Sequence, residues 1–445
     1  MMLKKYFTLI CLVVNGFLSL ALYILLIWQP DPRINIAKFI LIYVILFLLY
    51  ITTIIIIQRQ ETLKPAFLYI VIIFAVFFRV CLLASTPKLS NDIYRYLWDG
   101  KVSSSGINPY SFPPDSPNLK YLQDENFKKI GHYEAFTCYP PLSQMIFMSA
   151  YKINPGFYFL KIIFVLFDIG IMLLLLAILK FLKKNVLKIV TYAWNPLVVI
   201  EISGNGHLDS FAIFWVILAV FLYYKKKFFL SLFSLALASL AKFFAIPLLF
   251  LYGARPLKLS RLLLVLGFAG LFFLPFIWAG SKIFKGLADY LTLWEFNGSV
   301  FPLVLYLTKS YTLTKTFIFI FLFIIFLGLF KKNIELPRAI FIMLTTMLVL
   351  SPTVYPWYLL WILPFLCVYE NAAWLLLSGT IIFSYSILDR VFYLGKWQET
   401  IMDKIYVYLP FYSLLLLGCI RKFTARPMFQ RDSQKMKGCP HKEIL

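Results

Sequence analysis

Residues 66–85, "AFLYIVIIFAVFFRVCLLAS", followed after a short gap by residues 91–110, "NDIYRYLWDGKVSSSGINPY", decide the fold. The first stretch is apolar over a length that crosses a bilayer as a helix. The second brings two aspartates, an arginine, three tyrosines and a tryptophan, then a Gly-Ile-Asn-Pro-Tyr turn. An apolar span therefore opens onto a polar segment dense in groups that bind and ionise.

The pattern recurs along the chain. Of 445 residues, 61% are hydrophobic, 19% aromatic and only 14% charged, against about a quarter charged in soluble domains. The apolar residues form solid blocks at 6–28, 36–57, 66–85, 158–181, 187–203, 208–224, 228–252, 261–280, 312–330, 337–351, 357–369, 372–388 and 404–420. A β-barrel would alternate instead. The blocks predict an all-α, multi-pass transmembrane bundle of roughly 11–14 membrane segments. The first block, after "MMLKKYFTLICLVV", is too long for a signal peptide and lacks a small-residue cleavage site, so it reads as a retained helix.

The net charge of +23 follows the ends of these blocks. Lys4, Lys5, Arg59, Lys64, "KFLKKNVLK" at 180–188, "YYKKK" at 223–227, "FKK" at 330–332 and the stretch from Arg421 read as cytoplasmic by the positive-inside rule. Residues 86–156 then form a large first outer loop with amphipathic helices. Residues 1–420 read as one transmembrane domain and 421–445 as a basic cytoplasmic tail. Alternation fails once, because "YYKKK" and "GARPLKLSR" at 253–261 flank a single block. A hairpin or broken helix within 228–252, turning near Ala241 and Lys242, restores it. No Gly-rich phosphate loop or Walker motif is present, so the reading includes no nucleotide and no nucleic acid. The six cysteines form neither a disulfide framework nor a CxxC metal site.

The outer segments hold the chemistry. Over 90–106 the spacing predicts a helix capped by Ser90 or Asn91 and ended by Gly106. Asp92, Arg95, Tyr96 and Asp99 then share one face, and Tyr94 and Trp98 suit an interfacial belt. Asp92 is read either as a general base held ionised by the helix dipole or as a cap. Asp99 is a second carboxylate or the partner of Arg95. "YPPLSQ" makes Tyr139 a candidate pocket wall. "WNPLVVIEISGNGHLDS" breaks two spans and sets His207 and Asp209 at the outer end. "LADYLTLWEFNGSVFPL" at 287–303 supplies Glu295, and "SPTVYPWYLLW" at 351–361 supplies Tyr355 and Trp357, for sugar stacking or for interfacial anchoring. Arg95, Lys242 and Arg390 are candidate phosphate contacts. No metal ligand set is visible, and a divalent cation remains an open alternative.

Taken in order, "NDIYRYLWDG", "GINPY", "YPPLSQ", "WNPLVVIEISGNGHLDS", "LAKFFAIPLL", "WEFNGSVFPL" and "LSPTVYPWYLLW" resemble the bacterial mannosyltransferase family of GT-C fold, over roughly residues 85–365. The family includes polyprenyl-phosphate-mannose-dependent mannopyranosyltransferases of cell-envelope glycans. The motif order is also similar to that of the catalytic subunit of GPI mannosyltransferase I. The resemblance implies a glycosyltransferase in the bacterial cytoplasmic (inner) membrane with its active site facing outward. It implies a polyprenyl-phosphate sugar donor, a glycan or glycolipid acceptor, and transfer of a hexose with inversion. It places the catalytic base at Asp92, a second acidic position at Asp99, and the lysine of a Lys-x-x-Pro segment at Lys242, with one extra residue before Pro247. Asn91-Asp92 stands where some relatives have Asp-x-Asp. A secondary transporter is the alternative from another class, and it predicts charge near the bilayer midplane and two similar halves. An envelope polysaccharide polymerase or ligase is a further alternative.

Overall fold

The computed structural model describes the backbone of residues 2–29, 31–58, 65–254, 259–332 and 334–435, and the side chains of 6–29, 31–58, 65–252, 259–332 and 334–420. Arg59, Lys64, Arg255, Lys258 and residues 436–445 lie outside the described residues. Among the described residues there is no strand, only two isolated bridges, from Phe296 and from Asn297 to Thr353.

Three long helices open the chain: α1 (Met2–Trp28), α2 (Ile36–Gln58) and α3 (Pro65–Leu83). The first outer loop follows, with α4 (Asp92–Ser104) packed on α5 (Pro141–Ile153). Gly100 permits this approach, since a Cβ there would sit 2.5 Å from the Phe147 carbonyl oxygen. Then come α6 (Phe157–Phe181), α7 (Asp209–Tyr224) and α8 (Phe228–Ala241), with α7 packed between the other two. After Leu259 the elements used below are α9 (Leu259–Leu271), α10 (Tyr311–Lys331), α11 (Leu336–Leu350), α12 (Ala372–Thr380) and α13 (Ile401–Lys435). The last helix carries the basic stretch after Arg421 as regular backbone to Lys435.

Seven described helices are long and apolar enough to cross a membrane, or nine if each of two bent pairs counts as one span. The protein is a multi-pass membrane protein. The thirteen apolar blocks thus overcount continuous helices. In 187–203 the helix stops before Asn195, whose side chain accepts from the Leu197 N–H at 3.0 Å, and the pair bends by 52°. The run 261–280 bends by 90° after Leu271. The run 357–369 is a 3-10 turn over Pro356–Trp361 and a short helix over Leu363–Leu366. Hydropathy reads all of these as spans. Irregular backbone at such depth is tolerated where protein rather than lipid surrounds it, and Leu359, Leu360, Ile362 and Leu363 are fully buried.

The hairpin expected in 228–252 is present. Helix α8 ends at Lys242, whose backbone is extended. The chain then winds back through Ile246–Phe250, and the Tyr252 hydroxyl meets Ser231 near the start of α8. Ser231 also donates to the Ala219 carbonyl at 2.5 Å, in the last part of α7. Lys242 therefore sits at the opposite end from Lys225, Lys226 and Lys227.

Two buried ionic devices that the sequence reading passed over tie the bundle together. Arg79 of α3 and Asp168 of α6 are both fully buried and meet at 2.6 Å. Arg79 also donates to the Ala75 and Ala193 carbonyls, and the Tyr192 hydroxyl donates to Asp168 at 2.7 Å. Lys161 of α6 donates to the carbonyls of Leu82, Leu83 and Ser85, closing the C-terminal end of α3. Carbonyls at a helix C-terminus lack intrahelical partners and favour a cation.

Candidate active site

The site begins at the first turn of α4. The Asp92 N–H donates to the Ser90 hydroxyl at 3.2 Å, so Ser90 rather than Asn91 supplies the cap. Gly106, at φ +80°, lets the chain leave the helix. The four residues expected on one face separate into two groups. Arg95 and Asp99 pair with each other at 2.9 Å, and Asp99 also accepts from Thr137 at 2.5 Å and from Gln144 at 3.0 Å. Arg95 further donates to the Ala135 carbonyl. Burial works against the Arg95 charge, but the Asp99 carboxylate and its hydrogen bond outweigh it and raise the guanidinium above its usual value. This pair holds the returning loop onto α4, and both oxygens of the buried Asp99 are engaged by protein donors. Tyr94 and Trp98 are likewise buried under that loop, Trp98 against Phe127 at 5.3 Å, and do not form a belt.

Asp92 faces the other way. Its side chain is 37% exposed, and Oδ2 lies 3.7 Å from Nδ1 of the fully buried His207. Tyr96 and Tyr139 flank it, their rings edge to face at 5.0 Å. Burial, and after it the Asp92 carboxylate, pushes both phenols well above the usual tyrosine range, so each stays a neutral donor. Burial also pushes the neighbouring Cys138 thiol up to about 11.

His207 is placed by the π-turn over Val199–Gly204 and by Gly206. Gly206 has φ +74°, and a Cβ there would lie 2.5 Å from Ile93 Cδ1 and 2.9 Å from Lys161 Cγ. The close approach of this turn to α4 thus requires glycine. Gly206→Ala is expected to destabilise the protein by about 2 kcal/mol or more, from left-handed strain and overpacking. The thermal unfolding midpoint in detergent measures this, and an unchanged midpoint contradicts it.

Aromatic rings complete the enclosure. His207 stacks on Trp357 at 3.9 Å, Trp357 on Tyr355 at 4.5 Å, and Tyr355 on Phe296 at 4.7 Å. Backbone bonds Phe296 N–H to Pro352 and Val354 N–H to Phe296 fix the column at its far end. The same 3-10 turn carries Tyr358 and Trp361, which stack at 4.6 Å. Lys242 lies over both rings, 5.1 Å from the first and 5.8 Å from the second. It reaches both oxygens of the buried Asp209, at 2.7 and 2.8 Å, and Trp361 Nε1 donates to Asp209 at 2.7 Å.

The structure therefore gathers Asp92, Tyr96, Tyr139, His207, Tyr355 and Trp357, and sets Asp209 and Lys242 beside them. Two expected contacts stand apart. Glu295 is exposed and pairs with the Tyr311 hydroxyl. Arg390 donates to the Gln398 carbonyl and to Asp403, which also accepts from Ser386. Its guanidinium closes the 390–403 loop instead of facing the enclosure, because a carboxylate thirteen residues away claims it. Sequence reasoning passed over Glu201, fully buried behind His207, and Tyr358 and Trp361. The signal for Glu201 was an ionisable residue in an otherwise apolar run. Two small hollows lie elsewhere, one lined by Leu175, Tyr224, Phe365 and Tyr369, the other by Trp98, Lys101 and Asp124. Among the described residues, no three His, Cys, Asp or Glu side chains converge as metal ligands.

A carboxylate open to water, neutral phenols beside it and a paired lysine a few side chains away can together deprotonate a hydroxyl and receive an anionic leaving group. No curated protein and no solved structure matches the chain. The family model described as alpha-(1->6)-mannopyranosyltransferase, N-terminal domain, matches residues 13–256, more than half of the chain. Every residue of the Asp92, His207, Asp209 and Lys242 group falls within that match; the chain belongs to this family of polyprenyl-phosphate-mannose-dependent GT-C enzymes and is a membrane mannosyltransferase.

Proposed function

We propose that the protein transfers mannose from a polyprenyl-phosphate carrier to a hydroxyl of a glycan or glycolipid, with inversion, at the outer face of the bacterial cytoplasmic membrane. The observation that carries this reading is the half-exposed Asp92 carboxylate linked to Lys242 by one run of side-chain contacts, through His207, Trp357 and Tyr358.

Asp92 takes the proton of the acceptor hydroxyl as its oxygen attacks the anomeric carbon. The bond from that carbon to the phosphate oxygen breaks, and its electron pair leaves on the polyprenyl phosphate. Lys242 uses two of its three N–H donors on Asp209, and the third is free in chemistry to meet the departing phosphate. The half-buried Tyr139 donates to sugar hydroxyls, and the edge of Tyr355, whose ring faces are covered by Trp357 and Phe296, offers an apolar border to the sugar. Apolar faces turned outward on α9 and α10 suit the bilayer that holds the carrier. The outward orientation is supported by the hairpin, which returns the chain to the end bearing Lys225, Lys226 and Lys227 and leaves Lys242 at the end of Asp92.

The test is transfer by purified protein in nanodiscs, given polyprenyl-phosphate-[14C]mannose and a mannoside acceptor. The expected result is a mannosylated product of inverted anomeric configuration, with GDP-mannose inert in place of the lipid donor. Transfer from GDP-mannose alone, or retention of configuration, contradicts the reading.

A further inference from the structure

Behind Asp92 lies a row of buried groups that the transfer itself leaves unused. The two ring nitrogens of His207 face two different carboxylates. Nδ1 is 3.7 Å from Asp92 Oδ2, and Nε2 is 3.3 Å from Glu201 Oε2. Both nitrogens are buried and neither is in an aligned hydrogen bond. A histidine kept only for packing would have its polar atoms satisfied, whereas catalytic hydrogen bonds are often long before substrate binds. Trp357, stacked at 3.9 Å, fixes the plane of the ring.

Glu201 is held as firmly. Its Oε2 accepts from Asn205 Nδ2 at 2.9 Å and its Oε1 from the Tyr385 hydroxyl at 2.8 Å. Acceptance at both oxygens is the pattern of a carboxylate. A hydrogen on His207 Nε2 suits this acceptor, and that tautomer turns the Nδ1 lone pair to Asp92. The nearby cation, Lys161, spends its ammonium on the carbonyls ending α3 and does not compete for either carboxylate.

We infer that His207 receives the proton that Asp92 takes from the acceptor, and that Glu201 is the positioning residue that fixes the tautomer and stabilises the resulting imidazolium. The inference rests on the assignment of Asp92 as base. The acceptor O–H bond breaks and its electron pair forms the new bond to the anomeric carbon. The proton passes to Asp92 and then to Nδ1, while Nε2 keeps its hydrogen toward Glu201. The imidazolium so formed lies between two carboxylates while Asp92 is anionic again; once product has left, Nδ1 returns the proton through the water-exposed Asp92 carboxylate to solvent, which restores neutral His207 for the next acceptor.

The experiment measures kcat and donor KM separately, with polyprenyl-phosphate-mannose, for Glu201→Gln, His207→Gln and the double variant. Thermal unfolding confirms that each is folded. Both single variants are expected to lower kcat roughly tenfold to a hundredfold with donor KM within about twofold of wild type. The double variant is expected within about threefold of His207→Gln, because both residues act on one proton. Wild-type kcat in His207→Gln, a rise in KM alone, or fully additive losses would each overturn the inference. If Glu201→Gln does not fold, Tyr385→Phe withdraws one donor from Glu201 and is expected to lower kcat severalfold, and an unchanged kcat counts against the role of Glu201. An inactive Asp92→Asn beside a fully active His207→Gln sinks this inference alone. An active Asp92→Asn sinks the assignment of the base.

Discussion

Asp92→Asn is expected to lower kcat about a thousandfold or more while leaving the fold intact. The side chain makes no hydrogen bond to the described residues and is 37% exposed, so the isosteric amide removes no partner that the fold depends on. The helix cap survives because it uses the Asp92 backbone N–H and the Ser90 hydroxyl. What disappears is the only half-exposed carboxylate in the enclosure able to take a proton, since Asp99, Asp209 and Glu201 are buried and bonded. A positioned general base contributes roughly 10²–10⁴ in rate, and a thousandfold corresponds to about 4 kcal/mol of barrier. Donor KM should move little, because the proposed phosphate contact is Lys242 and not Asp92. A turnover within tenfold of wild type would require the base to be another residue.

The largest effect on stability is expected from Arg79→Met. Arg79 and Asp168 have no exposure to solvent, so deleting the guanidinium leaves the buried Asp168 carboxyl without its ionic partner and with the Tyr192 hydroxyl as its remaining donor. Removing one partner of a buried pair is destabilising by about 3–5 kcal/mol, whereas replacing both by apolar groups of similar volume is often nearly neutral. Arg79→Met is therefore expected to unfold at markedly lower temperature in detergent. Arg79→Met with Asp168→Leu is expected to recover most of the loss. A single variant as stable as wild type would mean that the two charges do not hold α3 to α6. Neither residue touches the enclosure, so the double variant should keep its transfer activity to the extent that it folds.

Much of this architecture was legible from local signals. Solid apolar blocks marked the helices, and the spacing of basic clusters exposed the reversal at Lys242. Local polarity marked Asp92, His207, Asp209, Lys242, Tyr355 and Trp357, which the fold brings into one neighbourhood. Broken spans were harder, because hydropathy cannot distinguish an apolar helix from an apolar 3-10 turn buried by its neighbours, as at Pro356–Trp361. Pairings between distant parts of the chain left no local trace. Arg390 carries the right chemistry for a site, yet Asp403, thirteen residues on, claims it, whereas the pairing of Arg95 with Asp99, four residues apart, is one of the two readings the helical spacing offers. Glu201 has the opposite history. It sits in an apolar stretch that reads as a span, and only the π-turn brings it behind His207.

The turn that carries Trp357, Tyr358 and Trp361 also works as a ruler. A 3-10 turn repeats every three residues and rises about 2.0 Å per residue, against 1.5 Å in an α-helix. Tyr358 and Trp361 therefore eclipse one another beneath Lys242, while Trp357 points to His207. Rewound as α-helix, the stretch from Trp357 to Trp361 would shorten by about 2 Å and rotate the two rings out of line. The pitch of this one short segment sets the span between His207, against Trp357, and Lys242, over Tyr358 and Trp361.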